Sequence, residues 1–227
     1  MVTAILPAGG LGKRLGADIP KQFLPLAGKP LILYSLEVFA RHPLVKNIII
    51  PVVPTWRQNL KTLLANFSLQ KEIILVSGGK TRQDSVYSGL KALPQGSSIV
   101  LVHDVARPFV TPQIIEEVIR AVEKQGAAIA AAPIRDTVKI VEEGIIKRTI
   151  PREKLFLAQT PQGAKAELMF RAFEAAYRDH FIGTDEASLL ERIGIPVHIV
   201  PAPSTNFKIT TPEDLRLAEA LLSLDRS

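Results

Sequence analysis

NIIIPVVPTWRQNLKTLLANFSLQKEIILV, residues 47–76, carries the pattern from which the fold can be read. Its ends are short apolar runs, NIIIPVV (47–53) and EIILV (72–76). Between them, residues 55–67 place apolar side chains at three- and four-residue steps. Continuous β-branched runs of this kind read as strands buried on both faces, and the spacing between them reads as an amphipathic helix. The alternation continues in both directions. VTAIL (2–6), SIVLV (98–102) and AAIAAA (127–132) repeat the strand pattern, while residues 31–41, 81–93 and 111–125 repeat the helical one. Thr55, Thr81 and Thr111 fit as N-caps, and Pro112 suits a first helical position. Further on come helices over 166–179 and 185–193, a strand PVHIV (196–200), and a last helix opened by the capping signature Thr211-Pro212-Glu213-Asp214. Strands that alternate with helices imply right-handed crossovers and a Rossmann-like three-layer α/β sandwich around a mostly parallel central sheet. The ligand site of such a sheet lies beyond the carboxyl ends of its strands.

One segment departs from the rhythm. Residues 135–154 read as extended VKIV, a Glu142-Glu143-Gly144 turn and extended IIKRTI, with no helix between. This predicts a protruding β-hairpin arm on a single domain spanning 1–227. An isolated hairpin is marginal in water, so the arm is expected to lie on something else, a second subunit being the natural partner.

Composition narrows the function. A chain of 227 residues with 47% hydrophobic content can fill one core. The absence of Cys excludes disulfides, thiolate chemistry and Cys-type zinc sites, and the four His lack metal-ligand spacing. There is neither a long uncharged apolar run nor a signal-peptide layout, which gives an expectation of a cytoplasmic protein with no membrane partner. The net charge of +6 comes without a basic block, and aromatics are only 6%. A small anionic substrate therefore accounts for the charge better than nucleic acid does.

Chemistry concentrates in two places. PAGGLGKRLGADIPKQF (7–23) follows the first strand directly. Gly9, Gly10 and Gly12 let backbone N–H groups approach a polyphosphate, and Arg14 and Lys21 add positive charge. Leu15 breaks the dinucleotide fingerprint and the P-loop ending is missing, so neither a Rossmann oxidoreductase nor a P-loop ATPase is indicated. The rival reading is an ordinary glycine turn with solvated cations. Pro20 weighs against it, because proline fixes where Lys21 emerges. SIVLVHDVARPFV (98–110) ends its strand at His103-Asp104. Asp104 suits Mg²⁺, which takes one or two carboxylates and completes its shell with water and phosphates. Arg107 suits a bidentate phosphate contact, or the two residues simply pair at a strand end. His103 reads as a packed residue. Arg82 and Ser85 in SGGKTRQDSV (77–86) open a helix on the same rim, after Gly78 and Gly79. Thr184 in GTDEASLLE (183–191) is either a ligand contact or, with Asp185, a cap. Lys208 in NFKIT is by itself an ordinary lysine.

The ordered set PAGGLGKRLGADIPKQF, GGKTRQDSV, VHDVARP, APIRDTVK, QTPQ, TDEAS and NFKITTPEDL resembles the 2-C-methyl-D-erythritol 4-phosphate cytidylyltransferases of the non-mevalonate isoprenoid pathway, over residues 3–222. The resemblance implies a nucleotide-diphospho-sugar transferase type of fold and a reaction that joins CMP from CTP to the sugar-alcohol phosphate. It implies that Pro7, Ala8, Gly9, Gly10 and Gly12 hold the nucleotide, that Arg14 and Lys21 act on the triphosphate, and that Gly79, Arg82 and Ser85 complete the nucleotide side. Asp104 would sit beside Mg²⁺, with Val105 and Arg107 at the sugar phosphate. Thr137 and Arg152 would reach from the arm into the other subunit of a homodimer, and Thr184 and Lys208 would close the pocket. Arg14, Lys21, Arg152 and Lys208 would be the catalytic cations. Val105 stands where the family usually has Ala, and Lys80 where an acid is common; both bear on pocket shape only. A ribitol 5-phosphate cytidylyltransferase, or a nucleotide-binding regulator without turnover, are the alternatives.

Overall fold

The computed structural model describes residues 1–9, 19–67 and 71–224. In chain order the elements are β1 (Val2–Ile5), β2 (Pro25–Leu26), β3 (Lys29–Pro30), α1 (Leu31–Arg41), β4 (Val45–Val52), α2 (Arg57–Ala65), β5 (Ile73–Ser77) and α3 (Arg82–Lys91). They continue as β6 (Ile99–Val102), α4 (Pro112–Gln125), β7 (Ala127–Pro133), β8 (Val138–Glu142), β9 (Ile145–Ile150), β10 (Phe156–Lys165), α5 (Ala166–Arg178), α6 (Glu186–Arg192), β11 (His198–Pro201) and α7 (Pro212–Leu224).

Among the described residues a seven-stranded sheet runs in the order β11-β7-β10-β6-β1-β4-β5. Its pairs are parallel except at β10, which runs antiparallel to both β6 and β7. The expected mostly parallel sheet is thus present, with one interior strand that the apolar pattern does not announce. FLAQTPQGAK carries Gln159, Thr160 and Gln162 along with Pro161 and Gly163, a composition that strands normally avoid. The register slips between Ala158 and Gln162, so Gln159, Thr160 and Pro161 leave the ladder beside the end of β6, while Gln162 stays paired to Val102 and Ile129.

Period-two alternation sends neighbouring side chains to opposite faces. Ile48 and Ile50 join Leu36 and Phe39 of α1, Leu60 of α2, and Ile115 and Ile119 of α4. Ile49, between them, joins Val86 and Leu90 of α3 and Phe173 of α5. Each of the three isoleucines is fully buried, and each burial contributes about 1.5–3 kcal/mol. This is why a continuous apolar run, rather than an alternating one, marked the central strands.

The helix starts follow the capping expectations at Thr81, whose hydroxyl and Asp84 form a capping box, and at Thr111, with Pro112 in the first turn. Thr55 does not cap α2: it lies inside a 3-10 turn, Pro54–Trp56, and Trp56 precedes the helix without a side-chain cap. Pro54 starts that turn one residue earlier than a Thr cap would require.

β8 and β9 form a sheet of their own, turned through Glu143 and Gly144 at φ 51° and 78°. Both central residues are left-handed, the geometry of a tight two-residue hairpin. Val141, Ile145 and Ile146 on this arm are all more than half exposed, so these side chains find little cover among the described residues. No described helix is long and apolar enough to cross a membrane.

Candidate active site

From β1 the sheet extends to β4 and β5 on one side and to β6 on the other. The crevice between the carboxyl ends of β1 and β6 is therefore the topological switch point, where open α/β sheets bind ligands. Pro7, Ala8 and Gly9 leave β1 into this crevice. The Ala8 N–H donates to the Pro51 carbonyl at 2.8 Å, and the Ala8 carbonyl accepts from the Gln22 side chain at 2.6 Å. Gln22 is 1% exposed and sits in the 3-10 turn Lys21–Phe23, with Phe23 stacked on Trp56. Lys21 is thereby held near Ala8 by a buried anchor that sequence reasoning missed, although Gln22 stands directly beside it in the motif. Gly10, Gly12 and Arg14 lie outside the described residues.

The opposite wall is GGKTRQDS. Gly78 donates to the Val52 carbonyl at 2.8 Å, and Gly79 donates to the Ser85 hydroxyl at 3.1 Å, which itself donates to the Thr81 carbonyl. A Cβ on Gly79 would lie 2.2 Å from the Asp84 Cβ, and one on Gly9 would lie 3.2 Å from the Ser85 Oγ. Gly9, Gly79 and Ser85 therefore close on one another, and at Gly79 glycine is a steric requirement.

Asp104, two residues beyond the end of β6, is 9% exposed and carries both flanking cations. Arg82 Nε donates to Asp104 Oδ1 at 2.9 Å, and Lys208 Nζ donates to Oδ2 at 2.7 Å. Burial alone would raise the Asp104 pKa, but the Arg82 guanidinium and the Lys208 ammonium hold its carboxyl well below the usual carboxylate range. Arg82 has a second carboxylate partner, Glu186, reached bidentately at 2.6 and 2.9 Å. Burial opposes the Arg82 charge, and the two carboxylates outweigh it, raising its pKa. Sequence reasoning placed Asp104, Arg82 and Lys208 at element ends; the fold joins them. It did not single out Glu186, whose only signal was an acid in TDEAS next to residues that read as caps.

A buried polar network supports this rim. The Asp104 N–H donates to the Thr160 hydroxyl at 3.1 Å, and Thr160 Oγ1 lies 3.0 Å from His103 Nδ1. Burial pushes the His103 imidazole down to about 4, so it is neutral and packed, as expected from the sequence. Arg107 Nη1 donates to the Asn206 carbonyl at 2.9 Å, and burial lowers its pKa. Val105 is 6% exposed and belongs to the core beneath the crevice. At Thr184 the cap question resolves in favour of Asp185, which caps α6 through Ser188, leaving Thr184 exposed. Thr137 and Arg152 are exposed at the base of the arm, just before β8 and just after β9, and Arg152 donates to the Arg135 carbonyl. Neither is joined to Asp104 by a described contact within the chain.

No group of three or more described Asp, Glu or His is placed to hold a metal ion. Asp104 is the carboxylate on the rim, with both oxygens engaged by cations. It fits Mg²⁺ as a single protein ligand completed by phosphates and water, once Lys208 gives up its oxygen.

The sequence profile of the IspD family, 2-C-methyl-D-erythritol 4-phosphate cytidylyltransferase, matches residues 2–224. The chain is 46% identical over 220 residues to the enzyme of that name from Geobacillus kaustophilus, covering 97% of this chain and 96% of the relative. It is 42% identical to that of Bacillus mycoides over the full length of both. It is also similar to two crystal structures. One is the 4-diphosphocytidyl-2C-methyl-D-erythritol synthase of Anaerococcus prevotii, with TM-score 0.88, 29% identity, and 98% and 96% of the two chains covered. The other is the Thermus thermophilus 2-C-methyl-D-erythritol 4-phosphate cytidylyltransferase, with TM-score 0.81, 35% identity, and 98% of each chain covered. With the Ala8–Gly9 segment after β1, the Gly79–Ser85 wall and the Asp104 rim gathered at one switch point, and a profile match over residues 2–224, the chain belongs to the 2-C-methyl-D-erythritol 4-phosphate cytidylyltransferase family.

Proposed function

We propose that this chain transfers CMP from CTP to 2-C-methyl-D-erythritol 4-phosphate, forming 4-diphosphocytidyl-2-C-methyl-D-erythritol and pyrophosphate. The observation that carries the proposal is the Arg82–Asp104–Lys208 cluster lying across the switch-point crevice from the Ala8–Gly9 turn. A phosphate oxygen of the sugar alcohol attacks the α-phosphorus of CTP in line with the departing pyrophosphate; one P–O bond forms as the α–β bridge breaks. This asks the protein for positioning and charge stabilisation and for no nucleophile of its own.

In this reading Pro7, Ala8, Gly9, Gly10 and Gly12 line the nucleotide, and Gly79 and Ser85 face the cytidine. Arg14 and Lys21 counter the charge that grows on the leaving group. Arg82, already shared by two carboxylates, serves the nucleotide side through Asp104. Lys208, 40% exposed at its side chain and held by one contact, is the cation able to turn from Asp104 to a substrate phosphate. Val105, Arg107 and Thr184 border the sugar phosphate. Asp104 would hold Mg²⁺, or another divalent cation, which when bound would supply additional charge neutralisation there. The arm, with Val141, Ile145 and Ile146 uncovered, pairs two copies into a homodimer and brings Thr137 and Arg152 of one protomer to the site of the other. The setting is the cytoplasm.

Pyrophosphate release tests the reading, with each of the four nucleoside triphosphates offered against methylerythritol phosphate and ribitol 5-phosphate. Release from CTP with methylerythritol phosphate is expected. Preference for ribitol 5-phosphate, or CTP binding without release, contradicts it.

A further inference from the structure

Glu186 is 1% exposed, more deeply buried than Asp104, and lies in the first turn of α6. The helix does not need it as a cap, because Asp185 and Ser188 already form a reciprocal capping box there. Both Glu186 oxygens instead receive the two terminal nitrogens of Arg82, from 104 residues away in sequence. The remaining nitrogen of the same planar guanidinium is on Asp104. A guanidinium donates in a rigid fork, so fixing two corners fixes the direction of the third. The contrast with the other cation is plain: Lys208 reaches Asp104 through one ammonium on a flexible stem.

We propose that Glu186 is a positioning residue for cytidylyl transfer: it clamps Arg82 in plane, so that Asp104 is aimed into the crevice and Lys208 alone remains free to exchange toward substrate. The inference rests on the cytidylyltransferase reading above. It does not make Glu186 touch either substrate, so ground-state binding of CTP, which belongs to the glycine walls, is largely left alone.

The test is steady-state pyrophosphate release by the full-length protein, wild type, Glu186→Gln and Ser188→Ala, with folding followed by circular dichroism. Ser188→Ala loosens the same helix end without touching Arg82. Glu186→Gln is expected to lower kcat by about tenfold or more, the scale of a small misplacement at a reacting centre. Its KM for CTP should stay within about threefold of wild type, while Ser188→Ala keeps kcat and loses only thermal stability. Should Glu186→Gln not fold, Glu186→Asp, which keeps the charge and shortens its reach by one methylene, is read the same way. A folded Glu186 variant with wild-type kcat, or activity losses that merely track melting temperature in both positions, overturns the proposal. An inactive wild type instead overturns the cytidylyltransferase reading on which it rests.

Discussion

Asp104 shows what a sequence can and cannot disclose about a single residue. Its position just past an apolar strand is legible, because the run SIVLV stops there and the switch-point rule points to it. Its partners are not, since Arg82 is 22 residues away and Lys208 is 104. No local spacing encodes either contact: the β5–α3–β6 crossover brings Arg82 to the end of β6, and the segment between β11 and α7 brings Lys208 there. Glu186 was invisible for the same reason, and Gln22 because a polar residue beside a lysine gives no sign of being buried. Two predictions belong at this scale. Lys21→Ala is expected to reduce turnover by roughly 10²-fold or more while leaving the melting temperature near wild type, as for loss of one preorganised charge; full activity in that variant removes Lys21 from the mechanism. The second concerns acid. His103 titrates near 4 in the fold against an ordinary 6.5, so between these values the unfolded chain binds more protons. Stability therefore rises with pH across that window and is lost as pH falls through it, by up to about 3 kcal/mol. Asp104, held below its ordinary 3.8, adds a further loss below about pH 4. Melting curves of the ligand-free protein from pH 7 to 4 should show the decline, and His103→Gln should flatten its upper part.

At the level of elements, the continuous apolar runs and the Thr caps were readable because burial on both faces and capping are local requirements. β10 was not, because it is held by position rather than composition: Gly163 lies where a Cβ would meet Leu101 at 2.6 Å, and Gln159 and Thr160 turn out of the ladder to serve the rim. The caps make a matched pair for testing. Thr111→Ala should cost about 1 kcal/mol of stability with kcat and KM unchanged, since α4 only backs the sheet. Thr81→Ala should cost a similar amount and also raise KM for CTP, because it removes the hydroxyl that accepts from the Asp84 N–H and so loosens the start of the helix that carries Ser85 against Gly79. Equal kinetic behaviour of the two variants would detach that wall from nucleotide binding.

For the molecule as a whole, the hairpin was legible from VKIV-EEG-IIKRTI because a turn between two extended runs is a local pattern, whereas what the arm lies on is not. Thr137 and Arg152 stand exposed, and Val141, Ile145 and Ile146 are each more than half exposed. If two copies share their sites, combining Lys21→Ala and Arg152→Ala protomers places both changes in one site and leaves the other intact. Verified mixed dimers should then regain about half of wild-type activity; no recovery would assign each arm to its own chain. All of these expectations depend on where the nucleotide sits, and a crystal of the protein soaked with CTP and Mg²⁺ shows that directly. The account predicts the cytidine between Gly9 and the Gly79–Ser85 wall, with its triphosphate against Lys21 and facing Asp104. A nucleotide bound away from the turn after β1, with that turn left vacant, would contradict it.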